Sequence, residues 1–216
     1  RSVGTARGAD ASRDGRRGRR AGAPARARVA VEAPDRTPGD RRAAAVVAAP
    51  DDPYYHPYLF GSRLGATMRA GFYGVAGWHG EGHLVRALFE GVALEHRRHI
   101  DVLRSAGMRF DSATLSGGGS RSPLWPQMFA DVLDIPIAVA ACAETGALGA
   151  ALAAGVGAGL FGDLEAGVAA MARPGGWFSA DAAMTRHYAG RYETFGRLTE
   201  AMKPLWARMA EARTGG

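Results

Sequence analysis

The residues best suited to chemistry lie in one run, LSGGGSRSPLWPQMFADVL over residues 115–133: an apolar strand end, three consecutive glycines, a Ser-Arg-Ser turn and an amphipathic helix. Gly117, Gly118 and Gly119 carry no Cβ, so a ligand can come close to the main chain there. The helix that follows begins with N–H groups that have no partner within it and with the positive end of its dipole, which favours a phosphate or a ribose hydroxyl. Read from the residues alone, the run is either a nucleotide-holding turn or a tight strand-to-helix connector, and glycines by themselves do not separate the two. Ser120 and Ser122 add short hydroxyls, and Arg121 is either a phosphate contact or a solvated charge.

Other groups offer less. His79 and His83 stand four residues apart and His96 and His99 three apart, spacings that put ligands on one helical face, but Gly80 and Gly82 interrupt the first pair and no glutamate completes a zinc-protease pattern. No metal site is expected. Glu144 opens a helix, where its carboxylate suits a structural cap, and Asp131 and Asp134 suit capping or solvation at a helix end. Trp125 reads as core packing, and Cys142, the only cysteine, as a small apolar residue at a strand end.

The elements around these residues follow from periodicity. Residues 81–105 place Leu84, Leu88, Val92 and Leu103 at helical spacing, and Gly107 ends the helix. Residues 112–116 predict a strand, residues 123–133 a helix with Pro123 in its first turn and Pro126 either there too or bending it, and residues 135–141 an apolar, doubly buried strand. An Ala/Gly helix over 144–158 follows, in which Gly146, Ala147, Gly149, Ala150 and Ala151 are expected to approach the sheet and the glycine turn closely. Residues 163–171 predict an amphipathic helix, Pro174-Gly175-Gly176 a break, and residues 183–213 a final helix bent at Pro204. Strands alternating with helices imply an α/β layered domain.

Composition divides the chain. Residues 1–50 hold 12 Arg against 4 Asp and 1 Glu, and no Phe, Tyr, Trp, Leu, Ile or Met, whereas residues 51–216 hold 15 basic and 16 acidic residues. A segment with so little to bury is expected to form a disordered arm, with ordered structure beginning near Pro53 in an extended, Tyr-rich segment. One Lys against 26 Arg and the absence of Asn point to GC-rich coding DNA, so a second reading of the arm is a frame artefact. The arm lacks aromatic residues to stack on bases and an apolar face to enter lipid, which disfavours nucleic-acid and membrane binding. No apolar run of about eighteen residues is present to span a bilayer, and a single cysteine suits the cytoplasm.

Three blocks, AGFYGVAGWHGEGHLVRALFE over residues 70–90, the glycine turn with its helix, and ETGALGAA over residues 144–151, together resemble the carboxy-terminal part of the FGGY family of carbohydrate kinases. In that family a glycine and an apolar residue, a seven-residue gap, a His-Leu pair, an Ala and an acidic residue form a signature, filled here by Gly74, Val75, His83, Leu84, Ala87 and Glu90, with Leu88 departing from the smaller residue usual there. The resemblance implies part of a ribonuclease-H-like (actin-like ATPase) lobe over residues 51–216, and ATP with Mg²⁺ as cofactors. It implies a pentulose such as xylulose, or a small polyol, as the phosphoryl acceptor. Gly117, Gly118, Gly119, Ser120 and Ser122 are the implied nucleotide-binding residues, Ser122 standing where relatives often carry Asn. The family's catalytic aspartate, in a Gly-Asp-Gln motif, has no counterpart, since Gln127 is the only glutamine, so an inactive fragment is expected and no catalytic residue is assigned. Homodimerisation is left open. The competing expectation is a non-catalytic nucleotide- or partner-binding remnant, or a basic-armed nucleic-acid-binding module.

Overall fold

The computed structural model describes residues 37–214. Its first element overturns part of the expected arm. Thr37 caps a short helix, α1 (Pro38–Ala44), through a reciprocal capping box: Asp40 N donates to Thr37 Oγ1 at 3.1 Å and Thr37 N donates to Asp40 Oδ2 at 3.1 Å. Pro38 fits the first turn, and Ala43 is fully buried against the neighbouring helix. Residues 37–50 are therefore part of the fold, because small alanines let α1 pack without large apolar side chains. The remainder of the expected arm, residues 1–36, lies outside the described residues.

Two short strands, β1 (Tyr54–His56) and β2 (Gly71–Tyr73), pair antiparallel with Tyr55 opposite Phe72. They sit on α2 (Glu81–Ser105), the long helix that periodicity predicts, whose buried face includes Ala87, Glu90, Gly91, Ala93 and Leu94. The contact is so close that a Cβ on Gly91 would lie 2.1 Å from the Tyr55 carbonyl oxygen, so only glycine fits. His56 is fully buried among the rings of Tyr58, Tyr73, Phe195 and Trp206.

The second sheet holds β3 (Ala113–Leu115), β4 (Ile137–Ala140) and β5 (Pro174–Phe178) in that order. β3 runs parallel to β4 through a crossover formed by a 3₁₀ turn, Gly118–Arg121, and α3 (Trp125–Leu133). Pro126, not Pro123, occupies the first turn of α3, and Asp134 closes the helix in the left-handed region at φ 54°. β5, expected as a mere break at Pro174-Gly175-Gly176, instead pairs antiparallel with β4, with an irregularity between Val139 and Ala140. Glycine is needed there because a Cβ on Gly175 would come within 3.0 Å of the Ala141 backbone.

α4 (Thr145–Gly157) and α5 (Leu164–Met171) pack on each other. Gly146, Ala147, Gly149, Ala150 and Ala151, expected against the sheet, are exposed, and Cβ atoms on Gly146 and Gly149 would meet open space. The buried side of α4 is set by Leu152 and by Gly155, over which the Phe161 ring lies. α6 (Ala182–Thr214) continues through Pro204 and closes the main core with Tyr188 and Phe195 against Met128, Phe129, Val132 and Leu133 of α3.

The candidate nucleotide loop

The glycine turn leaves β3 with Gly117 at φ 79°, a conformation that side-chain-bearing residues rarely adopt. Ser120 returns to it, its amide donating to the Gly117 carbonyl at 3.1 Å and its hydroxyl at 2.7 Å. Gly119 rests on the Trp125 ring, where a Cβ would come within 2.5 Å of the ring carbons, whereas a Cβ on Gly118 would meet nothing within 4 Å. Ser122 accepts from Leu124 N and Trp125 N, both at 3.2 Å, and so satisfies the opening turn of α3. The two glycines thus differ in role: Gly119 is a packing requirement, and Gly118 is open backbone.

A pocket of about 380 Å³ lies at this turn, within the size range of small-molecule sites. The turn contributes Gly118, Gly119, Arg121 and Ser122, and α3 contributes Trp125. Sequence reasoning missed three further lining residues: Thr37 and Asp40 from α1, and Phe89 from α2. The Thr-Pro-Gly-Asp run at 37–40 was the available signal, a capping threonine followed by a proline and an acid three places on. Trp125 packs on Phe89 with ring centroids 4.9 Å apart and on Phe129 at 6.1 Å, so it serves the core while one part of it faces the pocket. Its indole Nε1 is buried without a hydrogen-bond partner.

Arg121 does not point to an open anion position. Its guanidinium pairs with the Glu144 carboxylate and donates to the Ala143 carbonyl at 3.3 Å, tying the turn to the start of α4. Glu144 occupies the N-cap position of α4 without a capping hydrogen bond, so its expected capping role gives way to this exposed ion pair. Such a pair contributes little to stability.

The histidines are accounted for locally. His79 Nδ1 accepts from Ala76 N at 3.0 Å and His83 Nδ1 from Gly80 N at 3.1 Å, which fixes the entry to α2. Among the described residues no three His, Cys, Asp or Glu side chains are grouped as metal ligands. The two carboxylates next to the turn, Asp40 and Glu144, are engaged by Thr37 and Ser122 and by Arg121, so the residues present do not fit a protein-built Mg²⁺ site. A second cavity of about 480 Å³ lies at α2 and α6, but its lining charges are already paired as Arg98–Glu95, Arg197–Glu193 and Glu200–Lys203. Among the described residues no helix is long and apolar enough to cross a membrane.

Comparison with known proteins fits this architecture. Residues 19–158 match the C-terminal domain of the FGGY family of carbohydrate kinases. The L-xylulose/3-keto-L-gulonate kinase of Escherichia coli K12 is 32% identical over 168 residues, which cover 78% of this chain and 34% of that protein. The xylulose kinase structure from Rhodospirillum rubrum superposes with a TM-score of 0.65 at 34% identity, over 78% of this chain and 34% of the other. A ligand-bound xylulose kinase structure from Lactobacillus acidophilus shares the fold at a TM-score of 0.69 and 20% identity. The chain spans about a third of the length of these relatives. With signature residues at the exit of β2 and on α2, and its glycine turn between β3 and α3, this chain belongs to the FGGY family of carbohydrate kinases and carries the C-terminal domain of that actin-like ATPase fold.

Proposed function

We propose that this chain is the nucleotide-binding lobe of an ATP-dependent kinase that phosphorylates a pentulose such as xylulose, or a small polyol. The observation that carries the reading is the pocket at the glycine turn, floored by Trp125 and Phe89 and edged by the backbone of Gly118 and Gly119. An aromatic lining suits a base, and an open glycine backbone suits the close approach of a ribose or phosphate. Gly117, Gly118, Gly119, Ser120 and Ser122 form the turn that would hold the nucleotide, with the two serines acting mainly by shaping it. Each serine hydroxyl already donates within the protein, Ser120 to Gly117 and Ser122 to Asp40. ATP, when bound, supplies the transferable γ-phosphoryl group, with Mg²⁺ carried on its phosphates and not on this lobe.

Transfer to a sugar hydroxyl also needs a base to accept the hydroxyl proton. Among the described residues the buried carboxylates have structural duties: Asp40 in the α1 cap, Asp52 accepting from Ala49 N, Glu90 beside Arg86 and Arg191, Glu95 with Arg98, and Asp131 between Gln127 and the Asp181 amide. The chain by itself is therefore expected to bind nucleotide without phosphorylating sugar.

Calorimetric titration with ATP and Mg²⁺ tests the reading through Gly118→Trp. Open space at that position leaves room for the variant to fold, and the indole is introduced at a residue that lines the pocket. Saturable binding in the parent, abolished in a folded Gly118→Trp variant, is the expected result. Absence of binding in the parent, or equal binding in both, defeats the nucleotide reading, and xylulose phosphorylation by the purified chain defeats the claim of inactivity.

A further inference from the structure

The Ser122 hydroxyl ties the turn to α1. Ser122 Oγ donates to Asp40 Oδ1 across 82 positions of sequence and accepts from Leu124 N and Trp125 N at 3.2 Å, so its one donor and two acceptor sites are all in use. Asp40 is itself 3% exposed, and its other oxygen, Oδ2, accepts from Thr37 N at 3.1 Å and Thr37 Oγ1 at 2.7 Å. One carboxylate thus joins the cap of α1 to the opening of α3, and both ends of that link line the pocket.

We propose that Asp40 is a positioning residue for nucleotide binding, acting through Ser122. By accepting the hydroxyl's hydrogen bond, the carboxylate turns the serine lone pairs toward the first amides of α3 and so sets where the Gly118–Gly119 backbone lies over the pocket. A cap for α1 needs only the bonds to Thr37; the bond to Ser122 adds nothing to that cap and has the loop as its object. With the carboxylate removed, the hydroxyl rotates to another acceptor and the turn loses this tie to α1. The proposal rests on the nucleotide reading above and extends it to a residue that acts through Ser122.

A double-mutant cycle on the full chain tests it, with affinity for ATP–Mg²⁺ read by calorimetry and folding by the thermal unfolding midpoint. Asp40→Ala and Ser122→Ala are each expected to weaken binding by about tenfold, the size of one lost charge-assisted hydrogen bond, and the double variant to bind no worse than either single one. Ala43→Gly, which loosens α1 at a fully buried position remote in role from Ser122, is expected to lower the unfolding midpoint and leave affinity unchanged. Parental affinity in Asp40→Ala, additive losses in the cycle, or an equal loss in Ala43→Gly would each overturn the positioning role alone. If Asp40→Ala does not fold, the Ser122→Ala variant carries the same comparison, and parental affinity there overturns the role. A parent chain that binds no nucleotide overturns the loop assignment as well, which separates the two failures.

Discussion

Glu90 and Arg191 meet in the centre of the molecule, 3.0 Å apart and 1% and 3% exposed, one on α2 and the other on α6. The pair is within ionic reach although not aligned as a hydrogen bond, and Arg86 approaches the same carboxylate from one helical turn away with Nε at 2.8 Å. Arg191 also donates to the Asp52 and Pro53 carbonyls at 3.0 and 2.9 Å, so the cluster clasps α2, α6 and the entry to β1. Removing one member leaves buried charge uncompensated, which typically costs about 3–5 kcal/mol. Glu90→Ala is expected to lose stability on that scale in urea unfolding. Glu90→Gln, which keeps the shape and one acceptor, should lose less.

His56 predicts the response to acid. Burial holds its imidazole below the ordinary histidine range, partly offset by the Phe195 carbonyl and by the charge of Glu95. The Thr199 hydroxyl donates to Phe195 O at 2.9 Å, so its oxygen, 3.1 Å from His56 Nε2, accepts, and the neutral ring carries its proton on Nε2. A base with a depressed folded pKa stabilises the fold above its unfolded value and loses that contribution as pH falls. The unfolding midpoint should therefore drop between about pH 7 and about pH 5. His99 and His187 shift in the same direction through burial, so His56→Gln should flatten the slope without abolishing it. An unchanged slope in that variant would contradict the assignment.

Two glycines in helices are expected to respond oppositely to alanine. At Gly149 of α4 a Cβ meets open space, so Gly149→Ala should raise stability by about 0.5–1 kcal/mol through helix propensity. At Gly91 of α2 the same atom meets the Tyr55 carbonyl at 2.1 Å, and Gly91→Ala should destabilise by about 1–3 kcal/mol or more as the hairpin is pushed away. Unfolding curves of both variants under one set of conditions provide the check.

Asp131 separates charge from geometry. Its Oδ1 accepts from Gln127 Nε2 and Asp181 N, both at 2.8 Å, while burial raises its carboxyl above the usual range. Asp131→Asn keeps an acceptor at that place and removes the buried charge, so stability near neutral pH should be close to parental. Asp131→Ala takes the acceptor from the Asp181 amide, while Gln127 keeps the Ser179 carbonyl, and should cost about 1–3 kcal/mol.

The long helices were legible because their apolar positions repeat: the 81–105 pattern became α2 (Glu81–Ser105), and the strand, turn and helix around the glycines fell where periodicity put them. α1 was not, since an Arg- and Ala-rich segment has little periodic signal, and its place depends on α2 offering a close surface to Ala43. β5 was hidden because Pro-Gly-Gly signals a turn in isolation, while the reason for glycine there is contact with β4, which only tertiary structure supplies. The pocket was half legible for the same reason. The loop announced itself by composition, but Asp40 and Phe89 reach it from elements distant in sequence.

The seat of the β1–β2 hairpin on α2 has one more consequence. What a side chain at position 91 would strike first is the carbonyl of residue 55, a group that every amino acid brings to that position. No replacement of Tyr55 can move that oxygen aside, so a lesion at Gly91 has no direct suppressor at its contact partner. Revertants of Gly91→Ala should map instead to residues that let the hairpin or α2 shift as a whole, and a selection for restored folding should return no substitution at 55.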